Sequence, residues 1–277
     1  MFKCDIILVT FTKGREMRNI EVFKRHLREK RAVKIIAGID NYNLDSVRDV
    51  TKAAQLGLAS AVDVSASEEV IKVAKQNTKL PVFVSSVEPF KLAKAVQWGA
   101  DAIEIGNFDA LYKKGLEFAA DDVYEIALET LTLTPNGIFT CVTIPGNIPV
   151  EEQIELAKKL ELLGIDMIQT EGSKAGAIQK AKSAQEFLNL AKVTISNTME
   201  IARHVGIPIM SASGVNADTA PLAFAAGASA VGVGSAVNKQ TTQIAMIAAV
   251  RKVVGAIAYR DAFRREIYET NQNLLMR

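Results

Sequence analysis

Short apolar runs alternate along this chain with segments of helical periodicity, and the alternation predicts its architecture. Four runs share one grammar, in which glycine ends a helix, a small or acidic residue follows, and an apolar strand runs on. They are Gly57-LASAVDV, Gly99-ADAIEI, Gly164-IDMIQT and Gly227-ASAVGV. Between them lie VKIIAGID (33 to 40), PVFVSS (81 to 86), IFTCVTIP (138 to 145) and IPIMSAS (207 to 213). Val47, Val50, Ala54 and Leu58 recur at helical spacing after the first strand. VEEQIELAKKLELLG (150 to 164) has an acidic start and a terminal glycine, as a helix should. Strands that alternate with helices imply parallel βα units. Eight units in this length predict an α/β fold of the closed (β/α)8 TIM-barrel type. An open doubly wound sheet is the alternative, disfavoured because no GxGxxG follows the first strand.

The 277 residues are expected to form one barrel domain. An N-terminal arm and helix take 1–30, the barrel 31–258 and an outer helix 259–277. Met17 begins a more conventional opening, so residues 1 to 16 are either a start-site artefact or an arm. The stretch 107 to 137 has room for two helices, and 172 to 192 is also long; long connections on a barrel's carboxyl face are candidate lids.

Composition adds mainly exclusions. The net charge of +2 argues against a nucleic-acid surface, and KRHLREKR (Lys24 to Arg31) reads as a solvated helix face. With Cys4 and Cys141 as the only cysteines, no disulfide framework is implied. His26 and His204 are the only histidines, so no metal site is expected, nor a Ser-His-Asp triad. DIILVTF is too short to span a bilayer, and no membrane partner is expected.

Strand alternation places every second residue on one face. The polar residues fall on one parity: Lys34, Asp63 and Ser65, Ser85, Glu104, Cys141 and Thr143, Gln169 and Glu171, Ser211 and Ser213. The other parity, including Ile35, Val62, Ile103, Ile168 and Met210, is apolar. Helices cover a barrel's outside, so the polar parity is expected in the lumen. Lys34 with Asp63 and Glu104 can be a neutralising ion-pair network, because a buried ammonium must be paired. It can also be a reaction centre, with Lys34 as clamp or Schiff-base amine. The ion pair is the favoured reading. Asp40, Glu171 and Ser211 stand near strand ends, where site residues of such barrels occur, so Asp40 and Glu171 join Lys34, Asp63 and Glu104 as catalytic candidates.

The segment IPIMSASGVNADTAPLAFAAGASAVGVGSAVN (207 to 238) holds two strands that each end in a glycine turn. Asn216 is a candidate cap for the helix between them and Gly227 a stop signal. Gly214 and Gly234 let a ligand approach the backbone because they carry no Cβ. Exposed N–H groups at such turns make an anion site, and in a TIM barrel phosphate binds after strands seven and eight. Ser213, Gly214, Gly234 and Ser235 are the expected phosphate contacts.

This tail resembles the phosphate-binding half of the ribulose-phosphate-binding barrel superfamily, which also occurs in FMN-dependent barrels. AIEIGNFDALY, DMIQTEG, SASGVNADTAPLA and VGVGSAVN together resemble a narrower group covering about Met17 to Ile257. That group is the uncharacterised hypothetical chloroplast frame twenty-three family of cyanobacteria and algal plastids. The resemblance implies a phosphate-binding barrel in a plastid stroma or a cyanobacterial cytoplasm, and implies no reaction. Thiazole synthase has a similar tail, with its Schiff-base lysine on a mid-barrel strand; the comparable strand here carries Glu104. The expected partner is a small phosphorylated metabolite, with homo-oligomerisation an option, and isomerase-, lyase- or synthase-like chemistry. The alternatives are an FMN oxidoreductase, in which the same turns hold the FMN phosphate, and a non-catalytic metabolite-binding or scaffold protein.

Overall fold

The computed structural model describes residues 20–112, 114–172 and 184–275. The expectations for residues 1 to 16 and most of the connection after Gly172 lie outside those residues. Eight parallel strands close into a barrel in sequence order. They are β1 (Ala32–Ile36), β2 (Ala61–Ser65), β3 (Val82–Ser86), β4 (Ala102–Ile105), β5 (Phe139–Ile144), β6 (Met167–Thr170), β7 (Ile209–Ser211) and β8 (Ala230–Val233). Every apolar run that predicts a strand overlaps one, with β1 starting one residue earlier and β2 ending one residue later than its run. Barrel closure is direct, since Ala32 to Ile35 pair with Ala230 to Val233.

Helix α1 (20–28) precedes the first strand. The others are α2 (Leu44–Leu56), α3 (Glu68–Asn77), α4 (Pro89–Gln97), α5 (Asp109–Tyr112), α6 (Ala120–Leu133), α7 (Val150–Leu163), α8 (Ala184–Ile201), α9 (Ala220–Ala225), α10 (Ser235–Asn238) and α11 (Gln243–Leu275). The stretch 107 to 137 thus holds two helices, α5 and α6. Local chemistry sets several ends. The Asn43 side chain accepts from the Ser46 N–H at the start of α2, and Gly164 closes α7 in the left-handed conformation. Asn216 accepts from the N–H groups of Asp218 and Thr219, so it shapes the turn before α9 and Thr219 takes the cap position itself. Leu58 departs from expectation: Gly57 caps the helix, and Leu58 after it takes the left-handed turn itself at φ 68° and is 72% exposed. The tail is not a separate helix, since α11 runs unbroken through 258 and 259.

Outward strand residues such as Ile35, Val62, Val64 and Val231 join Val47, Val50 and Ala53 of α2 and Val250 and Val253 of α11 in one apolar layer. A second layer joins Ile103, Val142 and Ile168 to Leu156 and Leu160 of α7. The amino-terminal end of the lumen is plugged by aromatics. Phe23 of α1 meets Phe83 and Phe139 edge-on, with ring centroids 5.0 and 5.8 Å away. This plug confines any ligand space in the lumen to the opposite, carboxyl end.

Candidate functional site

Above the aromatic plug the lumen turns polar. Lys34, Asp63 and Glu104 are each fully buried, and the Lys34 ammonium pairs with the Glu104 carboxylate. Lys34 Nζ also lies 5.2 Å from the Phe83 ring centre. Burial works against the charge on Lys34, but the Glu104 and Asp63 carboxylates outweigh it and hold its pKa above the ordinary lysine value. Burial drives Asp63 the other way, up to about 7, with Lys34 opposing the rise. Burial, and then the nearby Glu104 charge, also raise the Cys141 thiol well above its ordinary value. The ammonium is therefore the protonated partner of a desolvated carboxylate pair.

Asp63 is tied upward by side chains. Ser85 donates its hydroxyl to Asp63, and the Asn107 amide donates to Asp63 (3.1 Å) and to Ser85 (2.9 Å). Gln169 in turn donates to Asn107 Oδ1 (3.0 Å) and Thr143 Oγ1 (3.1 Å). The carboxylate thus fixes which way each amide points along the chain of bonds. Asn107 is the residue that sequence reasoning missed. It sits at φ 65° directly after Gly106 at φ 125°, and a Cβ on Gly106 would overlap the Thr143 side chain. A Gly-Asn pair ending a strand is the signal that could have found it, since both residues tolerate left-handed backbone.

A cavity of about 300 Å³ opens over this network at the carboxyl ends of the strands. Asn107 and Gly232 are among its lining residues, with Ile36 at the end of β1, Gly38 and Asp40 after it and Glu171 after β6 on its walls. Ser213 and Gly214 after β7, and Gly234 and Ser235 after β8, line the same space. The two glycine turns expected from sequence therefore converge on one cavity. Gly214 and Ser213 both take the left-handed backbone, at φ 73° and 74°. Glu171 is buried, at 2% exposure, whereas Asp40 is on the rim and pairs with Lys114 at 3.3 Å. Lys34, Asp63 and Glu104 are not among the lining residues. The catalytic candidates thus divide, with Glu171 and Asp40 at the cavity and the buried triad beneath it.

One expectation is corrected. Strand alternation predicts Ser211 in the lumen and Met210 outside. Met210 packs instead with the lumen residues Ala32, Phe83 and Met167, and Ala212 lines the cavity. Ser211 faces α8, where the Thr198 hydroxyl donates to it at 3.0 Å. Thr170 makes the same outward contact with Thr198 at 2.7 Å. The polarity of Ser211 misleads because α8 offers hydroxyl partners outside the barrel. Ser213 reaches the cavity because the chain turns left-handed there, not through strand alternation.

Closed parallel topology, a plugged amino-terminal end and a cavity over the carboxyl ends define the protein as a (β/α)8 TIM barrel. Residues 17–263 match the family described as "Protein of unknown function (DUF561)", and the chain belongs to that family. Its relatives include "Uncharacterized protein ycf23" of Porphyra purpurea, 33% identical over 242 residues, covering 87% of this chain and 91% of the relative. The protein of the same name from Cyanophora paradoxa is 37% identical over 236 residues, covering 84% and 95%. These homologues are plastid-encoded.

Solved structures share the fold at low identity. The 3-hexulose-6-phosphate synthase from Salmonella typhimurium superposes with a TM-score of 0.58 at 13% identity, covering 83% of this chain and 99% of that one. The (S)-3-O-geranylgeranylglyceryl phosphate synthase from Thermoplasma acidophilum, in complex with sn-glycerol-1-phosphate, gives 0.56 at 15% identity, covering 85% and 98%. Thiamine phosphate pyrophosphorylase from Pyrococcus furiosus gives 0.52 at 17% identity, covering 84% and 98%. Among the described residues no helix is long and apolar enough to cross a membrane.

Proposed function

We propose that this protein is an enzyme acting on a small phosphorylated metabolite, with isomerase-, lyase- or synthase-like chemistry. The observation that carries the reading is the convergence of Ser213, Gly214, Gly234 and Ser235 on a cavity that also contains Glu171. The turns after β7 and β8 bring backbone close to the ligand space, where N–H groups favour a phosphate. Glu171, nearly buried at the other wall, is the acid/base candidate, and Asp40 at the rim is the second. Lys34, Asp63 and Glu104 act from below as a charged floor that positions Asn107. The named phosphorylated compounds of the similarly folded proteins support this choice of ligand class.

A cavity of about 300 Å³ lies at the lower end of the range for small-molecule sites, which favours a compact reacting group over the three-ring flavin of FMN. The plastid-encoded relatives favour a plastid stroma, or the cytoplasm of a cyanobacterium, as the setting.

A thermal-shift screen of phosphorylated metabolites tests the reading, followed by turnover assays with each hit. Phosphate esters should stabilise the protein, and Glu171→Gln should bind the hit while losing turnover. A set of hits confined to non-phosphorylated compounds would overturn the proposal. Visible flavin absorbance in the purified protein would replace it with the FMN oxidoreductase.

A further inference from the structure

A second cavity, of about 520 Å³, opens beside the first. It lies between the loops after β7 and β8 and the first turns of α11. The two cavities share Gly214, Val215, Ser235 and Lys239, which form a neck with ligand space on either side. The sides differ in charge. The first cavity is lined by Asp40 and Glu171 against Lys239, and the second by Lys239 and Lys252 against Asp218. The walls differ too. Ala245, Ala248 and Ala249 of α11 face the second cavity with Ala236 of α10, and Asn216 and Gln240 add amide groups.

We infer that the natural ligand carries its phosphate internally, as a small metabolite joined through a diphosphate to a nucleoside. This rests on the phosphate reading of the Gly214 and Gly234 turns. The metabolite occupies the first cavity, the diphosphate lies at the neck and the nucleoside fills the second cavity. A terminal monophosphate at the neck would leave the larger cavity with no ligand group in it. A second phosphate is favoured on the side where lysines outnumber carboxylates. Short alanine side chains leave a slot that suits the faces of a planar base. Asp218 and the amides suit its polar edge and the ribose hydroxyls. A wholly apolar tail would leave those polar groups desolvated without partners.

Isothermal titration calorimetry of the full chain with inorganic phosphate, ADP, UDP and geranyl diphosphate tests this. At least one of the two nucleoside diphosphates should bind roughly tenfold or more tightly than inorganic phosphate. Ala248 is exposed on α11, so Ala248→Phe fills the slot without displacing core. That variant should erase the advantage and leave the affinity for inorganic phosphate unchanged. Lys252→Glu, also at an exposed position, should weaken the nucleoside diphosphate more than phosphate. Equal affinity of phosphate and both nucleoside diphosphates overturns the inference, as does an advantage that survives in Ala248→Phe. Tighter binding of geranyl diphosphate than of either nucleotide overturns the nucleoside assignment. If inorganic phosphate fails to bind the wild type, or binds Gly234→Val equally well, the phosphate reading falls and this inference falls with it.

Discussion

Replacing Lys34 with methionine keeps most of the side chain's length and removes its charge. The ammonium is fully buried, paired with Glu104 and next to Asp63. Its loss leaves two desolvated carboxyl groups facing each other with no cation between them. Breaking a buried pair from one side costs about 3–5 kcal/mol, and the lost contact with the Phe83 ring falls within that range. At roughly 2–4 °C per kcal/mol for a chain of this size class, the melting temperature should drop by about 6–20 °C. The cost should depend on pH in a definite sense. Asp63 is raised from 3.8 to about 7 in the folded protein, so folding takes up a proton between those values. Stability from this group is therefore present at low pH and declines as pH rises through that window. Lys34 opposes the rise, so its removal pushes Asp63 higher still. The penalty should be full at about pH 8 and shrink toward about pH 5, where Asp63 is neutral and no longer needs a cation beside it. Denaturant unfolding of wild type and variant at both pH values measures it. A cost below about 1 kcal/mol at the higher pH, or one that does not shrink on acidification, would refute the reasoning. The double variant Lys34→Met/Glu104→Leu should recover much of the loss, because it removes the charged partner as well. Borohydride trapping of an imine on Lys34 with any sugar phosphate would overturn the structural role altogether.

Three further outcomes follow from the geometry. Gly234→Val should abolish the stabilisation that phosphate or sulfate gives, which is about 2.7 kcal/mol at a hundred times the dissociation constant, read by thermal shift. A Cβ there would meet nothing nearer than 3.8 Å, and the melting temperature of the variant without anion separates any effect of the larger side chain on the fold from loss of the site. Gly106→Ala should cost on the order of 2 kcal/mol or more in denaturant unfolding, because the position is left-handed and the new methyl overlaps Thr143. Ser211→Ala should cost about 1 kcal/mol through the lost Thr198 bond and leave the anion response unchanged; a weakened response would return Ser211 to the site.

The order of strands and helices was written in local sequence. Short apolar runs, set between helical segments that end near Gly57, Gly164 and Gly227, are short-range signals, and each had its physical cause within a few residues. The glycine turns after β7 and β8 were legible for the same reason. So was the inward parity of Lys34, Asp63, Glu104 and Gln169, because long polar side chains have no partner on an apolar outer face. Ser211 was not legible. A hydroxyl is small enough to be satisfied on either side of a strand, and only the packing of α8 puts Thr198 within 3.0 Å of it. Asn107 was hidden because the three partners of its side chain, Asp63, Ser85 and Gln169, come from strands distant in sequence and meet only on barrel closure. The division of the acidic residues was likewise a tertiary matter. Sequence spacing could say that Glu171, Asp40, Asp63 and Glu104 share one face or one end. Which of them meets the cavity and which is sealed beneath it depends on how eight tilted strands stagger their layers around the lumen, and no local signal carries that stagger.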